Sequence, residues 1–191
     1  MSKPSQFITK ERSLTKETEK LLNKQIEMEG ISSAIYLSMA SWCDVKGYSN
    51  SAQFLYDHSD EERMHMLKLF SYINDAGGHA LQPQITEIPH TFKSLRAVFE
   101  EVLDHEIQVT KSINELVDHC FNIKDFTTFQ FLQWYVTEQR EEETLARRTL
   151  ELFDIIGEQG IGLYTIDQEI VKLKGEANPS SPAAAPEGGG E

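Results

Sequence analysis

Four stretches of the chain place apolar residues at alternating steps of three and four, the spacing of a helix with one buried face. The first seam runs Leu22, Ile26, Glu29, Ser33, Tyr36, Ala40, Cys43, and the second Leu55, Ser59, Glu62, Met66, Leu69, Ile73. The third runs Leu95, Phe99, Val102, Glu106, Val109, Ile113, Leu116, Cys120. The fourth runs Phe131, Tyr135, Glu138, Glu142, Leu145, Thr149, Leu152, Ile156. Punctuating residues bound them. Helix one is predicted from about Ser13 to Cys43, before Asp44 to Gly47, and helix two from Ser49 as N-cap to the Gly77-Gly78 pair. Helix three is predicted from near Thr91 to Phe121, and helix four from after Asp125 to Gly157. No alternating β-branched run competes, so the predicted fold class is all-α. Seams of this step pack helices nearly parallel in a left-handed bundle.

The connections predict the topology. Helices one and two, and three and four, are joined by a few residues and must form antiparallel hairpins. Between helices two and three lies a long segment, Ala76 to His90, with Pro83 and Pro89. A helix of about 26 residues is roughly 40 Å long. About fourteen extended residues reach roughly 46–50 Å. The segment can therefore travel the length of the bundle and leave helices two and three parallel, which is a four-helix bundle with one long crossover. Leu163, Ile166, Ile170 and Leu173 then predict a short amphipathic fifth helix after the break from Gly157 to Gly162. Residues 1–12 read as an N-terminal arm, 13–174 as one domain, and 175–191 as a disordered Ala, Pro, Ser, Gly and Glu tail.

Each seam carries carboxylates where apolar residues belong: Glu29, Glu62, Glu106, and Glu138 with Glu142. His65 follows Glu62 at Glu-x-x-His spacing, on the same side of the helix. Removing an ionised carboxylate from water without a partner costs several kcal/mol. Two such charges about 4 Å apart repel by roughly 4 kcal/mol at an effective dielectric near 20. Two divalent cations bridged by shared carboxylates relieve both costs. Oxygen ligands with one imidazole suit Fe(II), Mn(II) or Zn(II), and redox chemistry singles out iron. Tyr36, one heptad from Glu29, and Trp134, four residues before Glu138, are placed either to pack or to serve a site carboxylate.

Composition narrows the partners. A length of 191 residues suits one domain, and 39% hydrophobic with 26% charged residues describes an ordinary globular chain. The net charge of −13 argues against a nucleic-acid partner. No apolar run is long enough for a membrane span, and the polar N-terminus lacks a signal-peptide core, so the cytoplasm is the expected compartment. Cys43 and Cys120 fall on helical seams and read as small buried apolar residues.

Taken together, these residues resemble the bacterial non-haem ferritins. The resemblance rests on Ser33-Ala34-Ile35-Tyr36 after Glu29 and on Glu61-Glu62-Arg63-Met64-His65. It also rests on Phe131 to Gln139, on Glu141-Glu142-Glu143, and on Gly162-Leu163-Tyr164 before the last helix. It spans about Leu21 to Leu173 and implies a ferritin-like bundle with ferroxidase and iron-storage functions. By position it implies a first iron site at Glu29, Glu62 and His65, and a second at Glu62, Glu106 and Glu142 with Gln139 beside it. A third site is implied at Glu61, Glu138, Glu141 and Glu142. It further implies oxidation of Fe(II) by dioxygen or peroxide, and storage of Fe(III) mineral in a shell of twenty-four subunits.

Departures from neighbouring families sharpen this. Bacterioferritin carries a second Glu-x-x-His on helix four, where this chain has Glu141, and a haem-ligating Met where it has Arg63. No haem is therefore expected, and Met64 and Met66 read as packing residues. Rubrerythrin would add cysteine pairs, which are missing. A bundle that merely buffers divalent ions is the remaining alternative. Gly30, directly after Glu29, is an odd helix residue that costs about 1 kcal/mol relative to Ala.

Overall fold

A computed structural model describes residues 12–85 and 87–177, with backbone alone for 174–177. The residues of the expected arm before Arg12 and of the expected tail after Ala177 lie outside the described residues. Among the described residues there are five α-helices and no strand: α1 Lys16–Val45, α2 Ser49–Asp75, α3 Leu95–Asn122, α4 Phe126–Ile156 and α5 Gly162–Ala177.

The helices pack as the seams require, α1 on α2, α3 on α4, and α1 on α3, with α5 laid against α4 and α2. Thr18 at the start of α1 meets His119 at the end of α3, 3.3 Å apart, so these two helices are antiparallel. Tyr72 near the end of α2 meets Thr128 near the start of α4 at 2.8 Å, so these are antiparallel too. It follows that α2 and α3 run parallel.

The crossover between them lies along α1. Asn23 bonds the backbone of His79 and Leu81, and Ser38 donates to the carbonyl of Pro89 at 2.5 Å. This accounts for Gly30: a Cβ there would lie 2.8 Å from Cγ of Pro83. The missing side chain lets the crossover close on the bundle, which offsets the helix-propensity cost.

Helix ends differ from the expected ones in instructive ways. α1 begins at Lys16 because Thr15 accepts from the Thr18 amide as N-cap. α3 begins at Leu95, later than Thr91, because Ser94 caps it through Ala97. Ser49 is not the cap of α2; it is the first helical residue, and Tyr48 before it makes no side-chain cap. Asp167 of α5 takes over that task. Its carboxylate accepts from the amides of Asn50 and Ser51, the Ser51 hydroxyl and the Asn50 side chain, at 2.7–3.3 Å. Unpaired N–H groups open every helix, and here a buried carboxylate from another helix satisfies two of them. Asp167→Ala is expected to cost about 2 kcal/mol, lowering Tm by about 4–8 °C, and to raise hydrogen exchange selectively in α5. Calorimetry and exchange mass spectrometry check this. α5 itself continues past Gly175, the expected start of the tail.

The core is split. One apolar cluster gathers Met39, Leu55, Phe99 and Phe153, with Ile166 and Ile170 from α5. The other gathers Ile26, Leu69, Ile113 and Leu132. Cys43 and Cys120, both free and buried, belong one to each. Along every long helix the polar site positions fall between the residues of these two clusters.

Candidate metal centre

Between the clusters, Glu29, Glu62, His65, Glu106, Gln139 and Glu142 are all buried, none more than 8% exposed. The regular seams of α1 to α3 bring Glu29, Glu62 and Glu106 inward. α4 is turned slightly from the expected phase. Its buried line is Thr128, Leu132, Tyr135, Gln139, Glu142, Leu145, Ala146, Thr149 and Phe153. Gln139 therefore occupies the seam, and the Glu138 side chain, expected there, is 41% exposed on the flank.

Glu29, Glu62 and His65 offer three ligand atoms within 4.8 Å of one another. Nδ1 of His65 is 3.2 Å from Glu62 and 3.9 Å from Glu29. Oε2 of Glu29 is buried with no hydrogen-bond partner. A bare carboxylate oxygen facing an imidazole and a second carboxylate is a donor set for a divalent cation. Glu106 is held on both oxygens: Tyr36 donates to Oε1 at 2.5 Å and Gln139 to Oε2 at 3.1 Å. Glu142 meets His58 at 3.2 Å, and the other ring nitrogen of His58 is 3.4 Å from Glu61. These three form the second cluster of ligand atoms within 4.8 Å found among the described residues.

Proton affinities follow the crowding. Burial first, then the charges of Glu29 and Glu106, push the Glu62 carboxyl well above its ordinary range. Burial and the charge of Glu142 raise Glu106 to about 7, although Tyr36 and Gln139 pull it down. Burial, then Glu106, raises the Tyr36 phenol, which keeps it a donor. A cation that binds here displaces protons, so metal uptake weakens as pH falls through this range.

Each residue read from the sequence thus has a place. Glu29, Glu62 and His65 come together. Glu106 and Glu142 interact electrostatically beside them. Of the remaining carboxylates, Glu61 joins Glu142 through His58, Glu138 lies 3.9 Å from His65, and Glu141 pairs with Arg140 at 3.7 Å. Trp134 stacks on Tyr135, with Lys68 over its outer face at 3.4 Å. Met66 is buried, but Met64 is 60% exposed and packs on no core.

Three residues beside the ligands were not read from the sequence as part of the site, although Tyr135 was placed in the seam. His58 precedes Glu61 by three residues, mirroring Glu62 and His65, and that repeated spacing was the available signal. Gln25, fully buried, donates to Glu29 at 2.5 Å from one turn earlier. Tyr135 is fully buried, and the charge of Glu29 helps to raise its phenol, after burial itself. Glu29 with Gln25 thus parallels Glu106 with Gln139. Gln25→Leu is expected to weaken divalent-metal binding at the cluster of Glu29, Glu62 and His65 about tenfold. An anaerobic Co(II) calorimetric titration checks this.

Four helices that converge glutamates and a histidine between two apolar clusters define a bundle whose buried carboxylates and imidazole could hold metal. The comparisons agree. The sequence profile of the ferritin-like domain matches residues 19–156. The chain is 46% identical over 160 residues to the bacterial non-heme ferritin of Campylobacter jejuni, covering 84% of this chain and 96% of that one. It is 44% identical to a probable bacterial non-heme ferritin-like protein of Haemophilus influenzae, covering 86% and 99%. An open-pore ferritin of Archaeoglobus fulgidus superposes with a TM-score of 0.80 at 39% identity, covering 83% and 96%. The chain belongs to the ferritin-like family.

Proposed function

We propose that this chain is an iron-storage ferritin that oxidises Fe(II) at the paired carboxylate site. Fe(III) mineral then accumulates inside a shell of twenty-four copies. The observation that carries the reading is the buried cluster of Glu29, Glu62 and His65 with an unpaired carboxylate oxygen. Solvated acidic helix faces do not bury bare carboxylates, and a cation is the simplest compensation.

Fe(II) is the substrate, each ion losing one electron to dioxygen or peroxide. Glu29, Glu62 and His65 hold the first ion, and Glu62, Glu106 and Glu142 the second, so Glu62 bridges. Tyr36 and Gln139 orient Glu106, and their hydrogen bonds keep its oxygens aimed while ions come and go. A third ion is held by Glu61, Glu138, Glu141 and Glu142, with His58 added from its contacts to Glu61 and Glu142. The protein takes no haem. Its partners are further copies of itself, with no nucleic acid and no membrane, and its compartment is the cytoplasm. No helix among the described residues is long and apolar enough to cross a membrane.

Aerobic addition of Fe(II), followed by sedimentation and electron microscopy, tests this. A large shell with an electron-dense core is the expected result. Iron that stays ferrous, or precipitates outside the protein as fast as in buffer, would leave only divalent buffering.

A further inference from the structure

On the side of the bundle where α3 and α4 meet, a groove of about 410 Å³ opens to solvent. Thr110 and Asn114 line it from α3, and Gln139, Arg140, Thr144 and Arg147 from α4. We propose that this groove is a binding and access site for hydrogen peroxide, which it delivers to the iron pair. The inference rests on the ferroxidase reading above and adds where the oxidant comes in.

Gln139 joins the groove to the carboxylates. Gln139 lines the groove, and the same amide nitrogen that donates to Glu106 Oε2 at 3.1 Å lies 3.5 Å from the Thr110 hydroxyl. The other end of that amide, Oε1, is buried and accepts no hydrogen bond. A buried acceptor is satisfied only by a donor small enough to reach it. Hydrogen peroxide is such a donor, with two O–H groups on a molecule little larger than water, and the threonine hydroxyls offer it further polar contacts.

The groove differs from the cation side in its charges. Arg140 and Arg147 flank it, and each is paired with a glutamate, Glu141 and Glu143. Such a neutralised rim gives Fe(II) no electrostatic draw and leaves a neutral oxidant unaffected. The carboxylates that attract cations, Glu61 and Glu138, lie instead near His58 and His65, towards α2. The chemistry needs two approaches. Peroxide takes one electron from each of two Fe(II) ions, its O–O bond breaks, and two protons from solvent complete two waters, leaving two Fe(III). Both ions must already be held when the oxidant arrives, so an oxidant path that does not cross the cation path lets both proceed.

The test narrows the groove from either wall with Asn114→Trp and Thr144→Trp, both at exposed positions outside the metal ligands. Full-length shells are loaded anaerobically with Fe(II) and mixed with increasing hydrogen peroxide in a stopped-flow instrument. The second-order rate constant is expected to fall about tenfold in each variant, with anaerobic Fe(II) affinity and stoichiometry unchanged. Circular dichroism and particle size identify a variant that fails to fold, and the other then carries the test from the opposite helix. Unchanged peroxide dependence overturns the proposal. Weakened Fe(II) binding also overturns it, by making the groove a cation path. Wild-type protein that binds no Fe(II) pair would instead sink the ferroxidase reading, and the groove assignment with it.

Discussion

Glu62→Ala is expected to slow rapid Fe(II) oxidation about a hundredfold or more, roughly 3 kcal/mol of lost transition-state stabilisation, and Glu106→Ala distinctly less. Glu62 stands within reach of Glu29 and His65 on one side, and the charge of Glu106 is felt at it from the other. On the proposed assignment its loss removes a ligand from both ions, whereas loss of Glu106 removes one from a single ion. Neither change should unfold the bundle, because each deletes one of several mutually repelling carboxylates. Stopped-flow absorbance at low iron loading, with circular dichroism on both variants, separates these outcomes. Oxidation at the wild-type rate in Glu62→Ala would remove the paired site from the account.

The same crowding predicts a stability effect of opposite sign. Glu62 and Glu106 have folded-state proton affinities above those of the unfolded chain, Glu106 near 7. A carboxyl raised in this way favours the fold below its unfolded pKa, and that contribution is lost as pH rises through the folded value. The metal-free protein should therefore weaken between about pH 5 and 8. Glu62→Gln and Glu106→Gln should each raise Tm at pH 8 by about 3–6 °C, roughly 1–2 kcal/mol, with the gain shrinking towards pH 5. Saturating divalent metal should reverse the ranking, since it stabilises only the protein that binds it. Thermal melts with and without metal at both pH values give the full pattern. Destabilised variants in the metal-free protein at pH 8 would mean that the carboxylates are compensated within the apo fold.

Legibility followed the strength of periodicity. α1, α2 and α3 have apolar residues on both sides of their glutamates, so the seam phase was fixed from two directions and Glu29, Glu62 and Glu106 were found. α4 has an almost unbroken polar run from Thr137 to Thr144. Two seam phases then share Tyr135, Glu142, Leu145 and Thr149, and they differ in whether Glu138 or Gln139 points inward. Apolar residues alone cannot decide that, and packing chose Gln139. His58 and Gln25 were hidden for a related reason: a polar residue flanking a seam reads as surface until a neighbouring helix is placed over it. The cap of α2 was beyond local reading altogether, because its acceptor, Asp167, is more than a hundred residues away in α5. Gly30 likewise looked like a weakness of one helix until Pro83 of the crossover was laid upon it.

The central claim is that two ions bind between the four helices with Glu62 shared. Anomalous diffraction at the iron edge, from crystals soaked anaerobically in Fe(II), tests it most directly. One peak is expected among Glu29, Glu62 and His65 and a second, about 3.5–4 Å away, among Glu62, Glu106 and Glu142. A weaker third peak is predicted near Glu61, Glu138, Glu141 and His58. A single peak, or iron bound only at the outer carboxylates, would contradict the paired centre.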